Sequence, residues 1–273
     1  MVSTGKVFGL IKIIMERNML AFAGSIDMPG LAMVFGPLLL VLVANGFSWQ
    51  RFLLVANQIV LDIGLLFLVI ASVGLLANQE DLFAFHLMAS MALLTVVFAL
   101  ILKLPLQLLS GDVGTYADTA HWGFKVVAIL FFVVGVYFAE IYAANASAFI
   151  DGFALVYVSF SIVVVVGLNK LSGKGDSLRA LGRYLPSIGL VGVIIGAVTG
   201  LQDIYELGSM TSLLMFGVLS LQYVLYLRII LFLAAPEKAV VANNQQSDVL
   251  TTISAVALIS IVFYMVFVST SLA

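Results

Sequence analysis

The chain contains no cysteine in its 273 residues, which excludes disulfides and thiolate metal sites and leaves the redox compartment open. Charge is scarce as well. Asp, Glu, Lys and Arg make up 10% of the chain, against about 25% in soluble domains. Twelve basic and fourteen acidic residues nearly cancel, and no basic stripe is offered to a nucleic acid. Histidine occurs only at 86 and 121, with no HxxxH pair and no acidic companion, so no metal site is expected. No glycine elbow presents a serine to a His and an Asp, and no glycine-rich loop is placed to cradle a phosphate. The chain is therefore expected to be neither an enzyme nor a cofactor carrier. Residues 1–24 do not read as a cleaved signal peptide, because Lys12, Glu16 and Arg17 interrupt the apolar run.

Apolar residues are what the chain has in excess. They make up 63% of it, and the mean hydropathy is +1.21. This composition predicts an all-α, polytopic membrane protein, since period-two alternation of the barrel kind is absent. Spans of ~20 residues are expected at 28–46, 57–77, 83–104, 124–143, 149–169, 185–202, 210–234 and 250–271. Residues 5–24 are either a ninth crossing or an interfacial amphipathic helix, giving a bundle of 8–9 transmembrane helices. Lys170, Lys174, Arg179 and Arg183 crowd one loop, Arg51, Lys103 and Lys125 fall in register with it, and the alternate loops hold Glu80, Asp81, Asp203 and Glu206. The basic loops are then cytoplasmic and the C-terminus outside, with the N-terminus cytoplasmic if 5–24 cross.

The stretch LPSIGLVGVIIGAVTGL at 185–201 organises the second half. Gly192, Gly196 and Gly200 recur on one helix face, joined by Gly189, and with Gly217 on the next span they permit close backbone approach. Pro186 is expected in the first turn, where a missing N–H costs least. An internal repeat runs at a shift of about 124 residues. Glu16 aligns with Glu140, Asp27 with Asp151, and Asn45 with Asn169; with small gaps, Ile63-Gly64 aligns with Ile188-Gly189 and Met88 with Met210. Two parallel four-helix repeats follow, since an even helix number keeps their direction. The units are 1–104 and 124–234, with cytoplasmic segments at 105–123 and 235–249 and an extra C-terminal helix in 250–273.

Three motifs in the second unit carry a resemblance: SAFIDGFALVYV at 147–158, LPSIGLVGVIIG at 185–196, and ELG at 206–208 leading into MTSLLMFGV at 210–218. In this order they resemble the MotA/TolQ/ExbB family of proton-channel subunits, nearest its MotA-like branch. The resemblance implies a bacterial inner-membrane subunit that self-associates, amid lipid, around a single-span protein with an intramembrane carboxylate. The family's large cytoplasmic segment is absent, its place being taken by residues 170–184 alone. Two family threonines that line the ion path align with Val193 and Val218, which cannot hydrogen-bond an ion or a carboxylate.

Candidate ion-pathway positions are therefore Glu140 and its repeat counterpart Glu16, then Thr199, Thr211 and Ser212, with Val193 and Val218 at the family positions. Glu140 reads either as a proton-binding or partner-pairing carboxylate, or as a side chain reaching the headgroups. Asp62 reads as a partner of Lys103 or as a snorkelling acid. Asp27 and Asp151 stand where helices begin, where a carboxylate accepts from free N–H groups. A subunit that packs round a partner to form an ion pathway or its scaffold is the leading expectation. A non-conducting structural subunit and a small-molecule transporter are the alternatives.

Overall fold

Helix α2, Trp49–Ala77, stands at the middle of the molecule and is buried on nearly every side. The computed structural model describes residues 28–77, 82–110, 121–173, 176–202, 207–235 and 253. Around α2 lie α1 (Met28–Ala44), α3 (Leu82–Ser110), α4 (Trp122–Ala143), α5 (Gly152–Leu171), α6 (Ser177–Gln202) and α7 (Leu207–Ala234). A 3₁₀ turn, Ala146–Phe149, joins α4 to α5. The described residues are almost all helical, with no strand among them, and six helices are long and apolar enough to cross a membrane. The chain is thus an all-helical, multi-pass membrane protein. The predicted count of 8–9 spans is not reached among the described residues. The expected helices at 5–24 and 250–271 lie outside them, save for residue 253. Helix α1, at 17 residues, is ~25 Å long, short of a usual crossing.

Two expected boundaries move. Helix α2 starts at Trp49 rather than 57, and α6 at Ser177 rather than 185. The added residues include Gln50, Arg51, Arg179 and Arg183, polar but good helix formers, so the helices run past the apolar stretch that hydropathy detects. Pro186 is consequently inside α6 and not in its first turn. Helix α3 likewise continues through Pro105 to Ser110, beyond the expected unit boundary at 104.

The most extensive pairings are α6 with α7 and α2 with α3. In α6/α7 the antiparallel register is set by small residues. A Cβ added at Gly189 would stand 2.7 Å from Leu221 Cδ1, one at Gly192 2.7 Å from Ser220 Cβ, and one at Gly196 2.8 Å from the Gly217 Cα. In α2/α3 the equivalent glycine is Gly64, whose missing Cβ would collide with Ala99. Helix α1 lies across α2 and α3, and α5 lies across α6 and α7. The halves meet where α7 packs on α2 and where α4 packs on α1 and α2. Gly74 allows the second of these contacts, since its Cβ would stand 2.9 Å from the Ala143 carbonyl oxygen.

The turns are closed by their own side chains. Between α1 and α2, Gly46 and Phe47 take left-handed φ values of 61° and 60°, and the Phe47 N–H returns to the Leu42 carbonyl. Phe47 then sets its ring edge-on to Phe124 at the start of α4. His121 caps α4 by accepting from the Gly123 N–H at 3.1 Å.

Candidate functional site

Helix α7 sends polar groups to three different neighbours from one short stretch, residues 220–229. Towards α4, Gln222 Nε2 and Tyr226 Oη both donate to Glu140 Oε1, at 2.6 and 2.7 Å. Towards the α4–α5 turn, the Tyr223 hydroxyl donates to the Phe149 carbonyl at 2.8 Å and accepts from the Asp151 N–H at 3.0 Å. Towards α2, Arg228 Nη1 meets Asp62 Oδ1 at 2.7 Å, both side chains being almost wholly buried. The Arg228 guanidinium also lies over the Phe232 ring, 5.7 Å from its centre. Each of these groups answers the same demand. A polar atom removed from water and placed among apolar helices costs several kcal/mol, by rough estimate, unless it is hydrogen-bonded.

Asp62 is the principal correction. Its partner is Arg228 of the second half, while Lys103 Nζ donates to the Asn57 carbonyl at 2.6 Å. The carboxylate therefore bridges two halves of the chain and is not a snorkelling acid of one hairpin. Glu140 also points inward to α7 and holds two neutral donors instead of reaching for the membrane surface. Asp151 caps α5, its Oδ1 accepting from the Ala154 N–H at 2.8 Å. Glu16 and Asp27 lie outside the described residues.

The remaining pathway candidates do not converge. Val193 and Val218 are buried in the apolar core. Thr199 gives its hydroxyl to the Ile195 and Gly196 carbonyls of its own helix, at 2.7 and 3.2 Å. Thr211 is half-buried and Ser212 exposed, both near the far end of α7 from Arg228. Gly189, Gly192, Gly196 and Gly217 form the α6/α7 contact, and Gly200 and Pro186 are buried. Among the described residues no group of three or more His, Asp or Glu is placed to hold a metal ion.

Arg228, Tyr223 and Tyr226 were missed in the sequence. Their signal is present, though. Gln222, Tyr223, Tyr226 and Arg228 fall within seven positions of an otherwise apolar span. Since helix neighbours turn by 100°, such a cluster cannot share one face, and so it must reach several partners. No family model, no curated protein and no solved structure matches this chain.

Proposed function

We propose that this chain is a non-catalytic membrane subunit of an ion-driven complex of the MotA/TolQ/ExbB kind, acting as the helical scaffold around a single-span partner. The observation that carries the reading is the shared order of neighbours in the two halves. Helix α1 lies across the α2/α3 pair as α5 lies across α6/α7. Gly64 meets Ala99 as Gly189 meets Leu221, in the register that aligned Ile63-Gly64 with Ile188-Gly189. Both features support two tandem units, of which the second bears the motifs. The scaffold role draws support from Val193 and Val218, which keep the family's threonine positions dry. On this reading the chain is a bacterial inner-membrane protein that self-associates, with its basic loops cytoplasmic and its C-terminus outside.

A second reading, a purely structural subunit of a larger membrane complex, is favoured by one observation. Asp62 and Glu140 both have partners within the chain. Purification from native membranes, with mass spectrometry of what remains bound, separates the two. The scaffold reading expects a single-span protein with an intramembrane Asp or Glu in less than equimolar amount. Many polytopic subunits, or the chain alone, would overturn it. Reconstituted vesicles should show no proton flux through the chain by itself.

A further inference from the structure

Helices α1 and α4 do not close on each other along their whole length. They run antiparallel, since Phe47 just past the end of α1 meets Phe124 at the start of α4. Between them lies a groove of about 510 Å³. Phe67 of α2 and Phe132 and Val136 of α4 are its buried floor, while Phe131, Phe138 and Tyr142 stand exposed at its rim. Two glycines keep it open. Gly64, Gly74, Gly189 and Gly196 each lie against a neighbour that a Cβ would strike, so their bareness serves packing. Gly36 and Gly135 line the groove from facing helices, and a Cβ added at either meets nothing within 4 Å. Glycine is a poor helix former, and no helix contact within reach of an added Cβ requires it at these two positions.

The dimensions select the occupant. From Phe131 to Tyr142 the α4 wall is ~16 Å long, so the volume spreads to a width of about 6 Å, against ~10–12 Å for a helix with its side chains. A helix is too wide to enter. One hydrocarbon chain fills the space, in van der Waals contact with ring and methyl carbons of both walls. The two ends of the groove also differ. Towards Leu40 and Phe131 the side chains are pure hydrocarbon. At the other end stand the Tyr142 hydroxyl and the Met33 carbonyl, which lacks its helical donor because Pro37 has no N–H. Tyrosine is favoured where hydrocarbon gives way to headgroups. We infer that the α1/α4 groove is a binding site for one acyl chain of a phospholipid, with its ester end beside Tyr142 and its methyl end towards Leu40. The Tyr142 hydroxyl donates to an oxygen of the lipid, and the tail completes the contact between α1 and α4. The inference needs neither the two-unit nor the ion-driven reading.

The test uses the full-length protein in phosphatidylcholine vesicles doped with a phosphatidylcholine whose acyl chain carries a diazirine at mid-length. The vesicles are irradiated and the protein is digested for mass spectrometry. Residues 63–71 of α2 are all buried, so a lipid reaches them only through the groove. Label within 63–71 is expected. Gly36→Leu with Gly135→Leu should lower it several-fold, while label at Val156 and Val163 on the exposed face of α5 stays unchanged. Either substitution alone serves where the pair does not accumulate, and the α5 label reports that the variant is inserted. Label on α5 with none in 63–71 would mean that the groove holds no tail. Label in 63–71 that neither substitution lowers would mean entry by another route. Labelling by a diazirine-bearing free fatty acid and not by the phospholipid would give the groove a different ligand. Each of these three results overturns the inference. Failure to co-purify a single-span partner would bear on the proposed function and leave this result unaffected.

Discussion

Helices α2 and α6 begin from similar material. Residues 63–73 read IGLLFLVIASV and residues 188–198 read IGLVGVIIGAV. Each leads into a tight hairpin through a glycine. Yet the most apolar window of α2 is 89% buried, and that of α6 only 44%. The difference teaches that hydropathy specifies a membrane helix and says nothing of what covers it. A leucine facing lipid and a leucine facing another helix look alike in sequence, because lipid tails are as apolar as leucine.

The comparison is broken most forcefully at the ion pair, which only α2 possesses. Arg228→Leu removes the guanidinium that meets the buried Asp62 carboxylate and should cost about 3–5 kcal/mol, whereas Asp62→Leu with Arg228→Leu should recover most of that loss. Thermal unfolding in detergent, read across the single and double variants, tests this. Equal losses in both would mean that the pair does not bind the halves. Next comes the matched truncation. Leu66→Ala in buried α2 should cost ~2–5 kcal/mol and Val191→Ala in α6 less than ~0.5 kcal/mol in the isolated chain. Similar costs would erase the asymmetry between the two helices.

Glycine substitution sharpens the same contrast within the second half. Gly196→Ala drives a methyl against the Gly217 backbone and should cost about 1–3 kcal/mol. Gly135→Ala on α4, where an added Cβ meets nothing within 4 Å, should gain up to ~1 kcal/mol from helix propensity. A gain at Gly196 would show that α6 and α7 are not so closely packed. A smaller loss than at Gly196 is expected at the turn. Tyr223→Phe removes one donor and one acceptor from the Phe149–Asp151 segment and should cost about 1–2 kcal/mol. Hydrogen exchange at residues 145–151 should rise while that of α2 stays unchanged.

Much of this architecture was legible in advance. A cysteine-free, charge-poor chain with repeated apolar runs has one class of solution, a helical membrane bundle, because a backbone in lipid must satisfy its own hydrogen bonds. Gly189, Gly192 and Gly196 could be placed on a packing face, since their spacing repeats with the helix. The starts of α2 and α6 were misplaced because hydropathy ends where polar residues begin, and the helix does not. The partner of Asp62 in the other half went unseen for a related reason. Sequence proximity suggested a partner in its own hairpin, and Arg228 is 166 positions away.

What the sequence alone determined, then, is the class of the protein and the approximate position of its described helices. Both follow from composition and from periodicities along one chain. Tertiary structure alone decided that α2 is the centre, that α7 distributes its polar groups among α2, α4 and the α4–α5 turn, and that Asp62 and Arg228 meet. These depend on which helix faces come together in three dimensions. In a membrane that choice is made by shape and by the few polar atoms present, since the hydrophobic pattern is nearly the same on every side.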